Sequence, residues 1–181
     1  MIENVVLDLD ETLIHSYITP VKCDFKIDLQ DNIYYVKKRP GLAKFLVYLF
    51  RKFKTVSVWT AATQDYAVQV IANIFTKKQR EKLKFFHTRR HTRMGTKPLE
   101  MIFNSKEAKR LNINQNNTVI IDDKSEVVYY NPGNGIIVPA WHGNPSDTYL
   151  AKLIIVLSGI IRHRMITDSN SIYLELRDIT D

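Results

Sequence analysis

Short apolar runs alternate along this chain with segments in which apolar residues recur at helical spacing. Five runs rich in apolar and β-branched residues predict strands at 5–9, 55–59, 83–86, 118–121 and 135–138. Between the first three, segments 42–50 and 64–75 repeat apolar residues every three or four positions, as helices with one buried face do. Strands that alternate with helices predict a three-layer α/β fold, with a mostly parallel sheet and helices on both faces.

Other segments predict elements that decorate this sheet. Segment 23–38 alternates in polarity and carries a turn signal at Asp31-Asn32, so we expect a small β-hairpin insertion. Segment 99–111 predicts a helix, and Ser146 is expected to cap a last helix. The predicted buried faces are Val68, Ile71, Ala72 and Phe75 in segment 64–75, and Leu150, Leu153, Ile154, Leu157 and Ile161 in the last helix.

The chain has 181 residues, which favours one domain, predicted over residues 1–164. The segment 165–181 is expected to be a tail in which residues 172–176 add an edge strand. Cys23 is the only cysteine, so no internal disulfide can form and a reducing, intracellular compartment (nuclear or cytoplasmic, and compatible with a virus-encoded protein) is expected. We expect no signal peptide, and no membrane span, because the longest apolar run falls short of about 20 residues.

The formal net charge of +7 predicts attraction to anions such as phosphopeptides, nucleic acids or acidic protein surfaces. Segment 77–97 contains nine Lys or Arg residues and one acid, Glu81. A charge run of this kind is often only a solvated helix and loop. Its position just before a candidate catalytic lysine, Lys97, favours a surface that faces an anionic substrate.

Polar residues follow three of the predicted strands. Asp8 and Asp10 end the first strand, Thr60 follows the second, and Asp122-Asp123 follow the fourth. In parallel sheets ligands bind beyond the carboxyl ends of the strands, so these residues are predicted to meet at one edge. Lys97 lies in a polar loop before a predicted helix and completes the set.

Each member of this set has a chemical interpretation and a structural alternative. Asp8 could attack phosphorus and Asp10 could exchange protons with the leaving group and water; the alternative is an Asp-rich turn. Thr60 could bind a phosphoryl oxygen through its hydroxyl and backbone N–H, or it could cap a helix. Lys97 could neutralise the phosphate, or it could be a surface lysine.

The acidic pair Asp122-Asp123 suits Mg²⁺, which prefers oxygen ligands, although two acids can also cap a helix. The order of the four pieces along the chain, Asp-x-Asp, Thr, Lys and an acidic pair, is the order expected of a phosphotransferase site. This joint pattern predicts phosphoryl transfer more strongly than any single residue does.

The sequence resembles the haloacid dehalogenase superfamily, a Rossmann-like fold, and within it the RNA polymerase II C-terminal-domain phosphatases (NLI-interacting-factor-like phosphatases). The resemblance covers about residues 5–157. It is carried by DLDETLIHS at 8–16, KRPG at 38–41, WTA at 59–61, Tyr66, Lys97, IDD at 121–123 and NPSD at 144–147.

This resemblance implies a role for each matching residue. Asp8 is the nucleophile, Asp10 the general acid and base, and Thr60 and Lys97 hold the phosphoryl group. Mg²⁺ is bound by Asp8, the backbone carbonyl of Asp10 and Asp123, with Asp122 orienting the site. The substrate-binding set comprises Thr12, which also supports the first loop, Tyr66, which flanks the peptide, Arg89 and Arg90.

The chain departs from the family pattern at two places. The acidic pair at 122–123 matches the larger members, since the small phosphatases commonly have Asp-Asn there. A position that is often arginine falls near His87, and Arg89, Arg90 or Arg93 could replace it. These differences concern the choice of peptide rather than the chemistry.

Neither the stretch 12–40 nor the stretch 60–97 has room for a large cap domain, so an open site is predicted. An open site can admit a polypeptide side chain, whereas enzymes of small metabolites more often close over their substrates. The prediction is a Mg²⁺-dependent protein serine/threonine phosphatase, acting on a phosphorylated polymerase-tail-like peptide. Two alternatives stay open: a protein- or phosphopeptide-binding module of the same fold, and a phosphatase of nucleic-acid ends or small molecules.

Overall fold

The structure, a computed structural model, describes residues 1–30 and 32–163. Its main sheet contains β1 (Asn4–Leu7), β5 (Thr55–Trp59), β6 (Leu83–His87), β7 (Thr118–Asp122) and β8 (Gly135–Ile137). A smaller sheet contains β2 (Ile14–Tyr17), β3 (Phe25–Leu29) and β4 (Asn32–Lys38). The helices are α1 (Leu42–Lys52), α2 (Gln64–Ile74), α3 (Lys77–Lys82), α4 (Glu100–Phe103), α5 (Lys106–Leu111), α6 (Ser125–Tyr130) and α7 (Tyr149–His163), with a 3₁₀ turn at Arg89–His91.

The five strands of the main sheet are parallel and lie in the order β6-β5-β1-β7-β8. The first strand therefore lies at the centre, between β5 and β7. This arrangement confirms the predicted α/β fold with its mostly parallel sheet. It also brings the carboxyl ends of β1, β5 and β7 to one edge, where ligands bind in such sheets.

Side-chain alternation along the strands divides the core into two layers. Val5 and Leu7 of β1 point into a large cluster with α1, α2 and α7, whereas Val6 points into a smaller one. The smaller cluster contains Trp59 and Ile120, together with Ile102 of α4, Ala108 of α5 and Val127 of α6. Because neighbouring residues of a strand face opposite ways, continuous apolar runs such as β1 are buried on both faces.

The small antiparallel sheet lies between β1 and α1 in the chain and has the order β2-β4-β3. Its β3–β4 hairpin, in which Leu29 pairs with Asn32, confirms the predicted insertion. Strand β2 was not predicted, because only Ile14 of its four residues is fully buried and the strand has no clear apolar alternation. The described residues between β1 and Lys97 contain no separate cap domain.

Several helix predictions need correction. The predicted helix 99–111 is two helices, because the Ser105 hydroxyl accepts a hydrogen bond from Ala108 N and begins a new helix. Val68 and Ala72 are exposed, and α2 instead buries Tyr66, Ala67, Val70 and Ile71. The predicted cap of the last helix was wrong: α7 begins at Tyr149, whose backbone N–H donates to Asp147 rather than to Ser146. Two short helices, α3 and α6, were not predicted.

The start of α3 did carry a sequence signal. Thr76 and Gln79 form a reciprocal capping box, a Thr-x-x-Gln pattern that marks a helix start. The predicted edge strand at 172–176 and the tail at 165–181 lie outside the described residues. No helix within the described ranges is both long and apolar enough to cross a membrane.

A buried arginine joins the small sheet, the first loop and the last helix. Arg39, only 1% exposed, donates two hydrogen bonds to the Asp147 carboxylate, from Nε at 2.9 Å and Nη2 at 3.0 Å. Its Nη1 donates to the carbonyls of Thr12 and Pro139, both at 3.1 Å. This bidentate, fully paired geometry compensates the cost of burying the charge. It fixes the loop that follows β1 against the segment that precedes α7.

Candidate active site

The loop after β1 carries the two aspartates of the first motif. Asp8 N donates to Ile121 O at 3.0 Å, so the sheet pairing with β7 continues to the nucleophile position. Beyond it the chain turns sharply: Glu11 has a φ of 58°, and Leu13 N donates back to Leu9 O at 2.8 Å. A non-glycine residue in the left-handed region is uncommon and is retained where the surrounding structure fixes it.

Lys97 links the ends of β1 and β7. Its ammonium group donates to Asp8 Oδ1 in a short hydrogen bond and to Asp122 Oδ2 at 2.6 Å. The lysine is 2% exposed, so the alternative of a solvated surface lysine does not describe it. The loop before α4 is held by Asn131, whose Nδ2 donates to Lys97 O and whose Oδ1 accepts from Leu99 N.

Asp122 and Asp123 differ in what they contact. Asp122 Oδ1 accepts from Lys124 N at 3.0 Å, so both oxygens of this carboxylate are engaged. Asp123 Oδ1 is buried and has no hydrogen-bond partner among the described residues. One carboxylate oxygen from each of Asp8, Asp122 and Asp123 lies within 4.8 Å of the others.

Three carboxylates around one ammonium group leave an excess of buried negative charge. Burial, and next the charge of Asp8, raise the pKa of Asp122 to about 7 and also raise the pKa of Asp123. Burial alone would lower the pKa of Lys97, but the carboxylates of Asp8 and Asp122 more than offset it and raise that pKa. The lysine therefore stays charged.

This cluster fits a divalent cation. The donors are oxygens, the local charge is negative, and Asp123 offers a buried oxygen with no other described partner. Buried charges of one sign are costly unless they are paired or bind a metal. Asp8 and Asp123 are the side chains that would hold the ion, with Asp122 oriented by Lys97 and Lys124.

Asp10 belongs to a second hydrogen-bonded group, on the side of the small sheet. Its Oδ1 accepts from the Tyr66 hydroxyl at 2.6 Å, and Ser16 Oγ makes a short hydrogen bond with the same hydroxyl. Burial raises the pKa of Asp10 to about 6, although the hydrogen bond from Tyr66 opposes this shift. A carboxyl group that titrates near neutral pH can both give and take a proton.

Thr60 lies beside Asp10, but of its two groups predicted to bind a phosphoryl oxygen, the backbone N–H already has a partner. Its backbone N–H donates to His87 O at 3.0 Å, which continues the β5–β6 pairing, so that N–H is not free for a phosphoryl oxygen. The hydroxyl accepts from Ala62 N at 3.0 Å and donates to Asp10 Oδ2 in a long hydrogen bond of 3.5 Å. The hydroxyl proton would have to leave Asp10 to contact a phosphoryl group.

Some of these residues border an open cavity of about 440 Å³, although Lys97, Asp122 and Asp123 do not line it. Its lining includes Asp8, Asp10, Thr60, Tyr66 and Arg89 from the predicted set. Further lining residues, not assigned from the sequence, are Glu11, Ser16, Leu29, Tyr34, Ala61, Ala62, Thr63 and Lys124. Strand β2 supplies Ser16, and the β3–β4 hairpin supplies Leu29 and Tyr34. Because β2 was not predicted, Ser16 was not assigned to the site.

The structure separates the predicted substrate-binding residues. Arg89 is anchored at the cavity, where its Nε donates to Ala61 O at 2.8 Å, whereas Arg90 and Arg93 are exposed and do not line it. Thr12 is fully buried, and its carbonyl accepts from Arg39, so it lies under the first loop rather than in the cavity.

His87, the residue nearest the expected arginine position, faces away from this chemistry. Its ring packs edge-on against Trp59 and stacks on His91, with centroids 4.6 Å apart. Burial, and next the neighbouring His91, lower the pKa of His87 to about 4. A neutral, packed imidazole does not substitute for a guanidinium group, and Arg89 is the arginine at the cavity.

The chain is similar in sequence to a known family of phosphatases. The sequence model of the NLI interacting factor-like phosphatase family matches residues 3–168. CTD small phosphatase-like protein 1 of Caenorhabditis elegans is 33% identical over 155 residues, which cover 83% of this chain and 30% of that protein. A CTD phosphatase-like protein, 355R, of Invertebrate iridescent virus 3 is 31% identical over 173 residues, covering 82% of this chain and 91% of the viral one.

Solved structures agree in fold. The RNA polymerase II CTD phosphatase Fcp1 superposes with a TM-score of 0.58 at 20% identity, over 90% of this chain and 51% of that one. Fission yeast Fcp1 bound to beryllium fluoride gives 0.60 at 19% identity, over 98% of this chain and 62% of that one. At this identity the likeness concerns the haloacid dehalogenase-type fold alone. The chain thus spans 51% and 62% of these two solved chains and 30% of the nematode relative, but 91% of the viral relative.

Asp123→Asn tests the charge imbalance of the acidic cluster. In metal-free buffer we expect its melting temperature to equal or exceed that of the unsubstituted protein, because one of three crowded carboxylates is gone. The rise in melting temperature on adding Mg²⁺, which ligand linkage produces, should be lost. In the unsubstituted protein this rise should grow between about pH 6 and about pH 8, since carboxyls with a raised pKa release protons when metal binds.

Scanning calorimetry with and without Mg²⁺ measures both effects. Glu107→Gln removes an exposed carboxylate on α5, outside the cavity lining, and serves as the matched control. A Mg²⁺ response in Asp123→Asn equal to that of Glu107→Gln would contradict a metal site at this cluster.

Proposed function

The chain belongs to the NLI interacting factor-like phosphatase family, and on that premise we propose that it hydrolyses phosphoserine or phosphothreonine esters of proteins through a phosphorylated Asp8. One observation carries this proposal. A nucleophile-type carboxylate held by a buried lysine and a proton-exchanging carboxyl held by a tyrosine border the same open cavity. The family name describes a phosphatase, and the geometry supplies the parts that such an enzyme needs.

The first step transfers the phosphoryl group to the protein. An oxygen of Asp8 attacks phosphorus, the new O–P bond forms, and the bond from phosphorus to the serine or threonine oxygen breaks. Asp10 gives its proton to that leaving oxygen, which departs as the free hydroxyl. With Lys97 on Oδ1, the Asp8 carboxylate is fixed in orientation, and its second oxygen is left to attack.

The second step releases phosphate. Water attacks phosphorus, Asp10 takes the proton of that water, and the aspartyl–phosphate bond breaks to regenerate Asp8. The Thr60 hydroxyl can donate to a phosphoryl oxygen, and the Lys97 ammonium group offsets the charge on the transferring group. We propose Mg²⁺ as the ion at the acidic cluster, where it would neutralise phosphoryl oxygens when bound. Asp8, Asp123 and the backbone carbonyl of Asp10 would hold it.

The cavity supports a polypeptide substrate. It is open, with no cap domain in the described residues, and one wall is formed by Leu29, Tyr34 and Tyr66. An apolar and aromatic wall beside a phosphate site suits the backbone and side chains that flank a phosphorylated residue. Arg89 at the rim provides a cation for an anionic residue or phosphate oxygen.

A phosphorylated polymerase tail is the substrate class that we favour. Relatives are named for it, among them the human carboxy-terminal domain RNA polymerase II polypeptide A small phosphatase 1, 31% identical over 155 residues. This chain covers 56% of that protein, so we only propose that the two share a substrate class. The nuclear or cytoplasmic location expected from the sequence stays a prediction.

Asp8→Asn tests the proposed function directly. We expect phosphate release from a phosphoserine peptide to fall below about a thousandth of the original rate, because the amide is a poor nucleophile of nearly the same shape. The measurement is phosphate release with Mg²⁺, with circular dichroism to check the fold and Glu107→Gln as the control. Comparable activity in both variants would exclude Asp8 as the phosphate acceptor, and no activity in the original protein would favour a binding module.

Tyr66→Phe tests whether Tyr66 orients the acid. Without the hydroxyl, Asp10 loses its 2.6 Å donor and protonates the leaving group less effectively. We expect kcat/KM for a phosphoserine peptide to fall about tenfold or more, since serine is a poor leaving group that needs a proton. With para-nitrophenyl phosphate, whose leaving group needs little protonation, the loss should be several-fold smaller. Equal losses on both substrates would show that Tyr66 acts only in packing.

Arg89→Met and Arg90→Met form a matched pair that tests substrate binding. Adjacent in sequence and both exposed, the two arginines differ in that only Arg89 lines the cavity. We expect KM for the phosphopeptide to rise about fivefold in Arg89→Met with kcat little changed, and to change less than about twofold in Arg90→Met. Steady-state kinetics at low and high salt measure this. Equal effects of the two substitutions would assign the interaction to the general basic charge of segment 77–97.

A further inference from the structure

A cluster of side chains of metal-ligating types shares no residue with the acidic cluster, and one of its members, Glu11, lines the cavity. It consists of Glu11, His15 and His142, and one donor atom of each lies within 4.8 Å of the others. His15 Nδ1 donates to Glu11 Oε1 at 2.9 Å. Neither the proposed hydrolysis nor the proposed peptide binding uses the two imidazoles.

The position of His142 is fixed by contacts on both sides of it. Trp141 N donates to Glu11 O at 2.7 Å, and the Tyr17 hydroxyl donates to His142 O at 3.0 Å. Three residues before His142, Pro139 O accepts from the buried Arg39. The segment that carries His142 is thus hydrogen-bonded to the first loop and to β2, the same segments that carry Glu11 and His15.

The next residue shows how closely this segment approaches β2. Gly143 has a φ of 92°, and a Cβ atom built there would lie 2.0 Å from the Tyr17 hydroxyl oxygen. Any other residue would clash with the Tyr17 side chain, which would have to turn away and give up its hydrogen bond to His142 O. The backbone conformation and this close approach both favour glycine at this position.

The two imidazole rings are already arranged as neighbours. Their centroids are 5.3 Å apart and their planes are nearly perpendicular, at 88°. Two donors on one tetrahedral zinc ion are about 3.4 Å apart, as zinc–nitrogen bonds of about 2.0–2.1 Å require. The donor atoms, all within 4.8 Å of one another, would have to approach by at most about 1.4 Å to reach that spacing.

We propose that Glu11, His15 and His142 bind a borderline transition-metal ion of the Zn²⁺ type. Two imidazoles and one carboxylate form a donor set that zinc and cobalt prefer, whereas Mg²⁺ prefers oxygen donors. His142 is exposed, so an ion can enter from solvent and keep water as its fourth ligand. The bound ion joins the segment around His142 to β2 and neutralises Glu11 at the rim of the cavity.

The experiment is a titration of the metal-free protein with Co²⁺ and, separately, with Zn²⁺, in excess Mg²⁺ to occupy the acidic cluster. Tetrahedral Co²⁺ absorbs visible light far more strongly than octahedral Co²⁺, which reports the geometry, and calorimetry gives the stoichiometry and affinity for Zn²⁺. We expect one site with the tetrahedral spectrum. Neither readout depends on catalysis, so the result is independent of whether the protein is a phosphatase.

Three variants locate the site. His142→Ala should weaken Zn²⁺ binding by about tenfold or more and remove the tetrahedral spectrum. His91→Ala, which removes a partly exposed imidazole from another loop, and Asp123→Asn, which disables the acidic cluster, should leave both unchanged. Absence of a tetrahedral spectrum in the original protein, or binding that persists in His142→Ala or disappears in Asp123→Asn, would overturn the proposal.

Discussion

The site depends on one constraint: the carboxylates of Asp8, Asp122 and Asp123 are crowded together, and the buried ammonium group of Lys97 pairs with the first two of them. Strands β1 and β7 are neighbours, so their carboxyl ends bring these acids together whatever their cost in desolvation. The lysine compensates part of the charge and keeps its own proton. The remaining negative charge, with the unpartnered oxygen of Asp123, is what makes the cluster fit a divalent cation.

The loop after β1, which carries Asp10 and Thr12, is held by side chains from outside the main sheet. Arg39 joins Asp147 before α7 to the carbonyl of Thr12 in the first loop, and Tyr66 of α2 fixes the carboxyl of Asp10. The Tyr66 hydroxyl also makes a hydrogen bond with Ser16 of β2. Functional side chains are oriented well when their own partners are fixed by packing, and Arg39 and Tyr66 are such partners for the loop after β1.

Much of the fold was predictable because local patterns carried it. Continuous apolar runs indicated strands buried on both faces, and β1 does send Val5 and Val6 into different layers of the core. The predictions failed where a local pattern was ambiguous. On α2, Val68 had the right spacing for the core but lies on the exposed side, since packing on the sheet selected another face. Ser105 divided a helix through a cap that apolar spacing does not show.

By itself the sequence determined the strand–helix alternation and the strand ends at which Asp8, Thr60 and Asp122 lie, because these follow from side-chain period and chain order. Only the tertiary structure decided which distant groups meet. In that structure Arg89 lines the cavity, whereas Arg90 does not and is exposed. The Tyr66 hydroxyl donates a hydrogen bond to Asp10, and His142 lies beside Glu11. Such contacts depend on distances between elements that are far apart in the chain, and residue spacing carries no information about those distances.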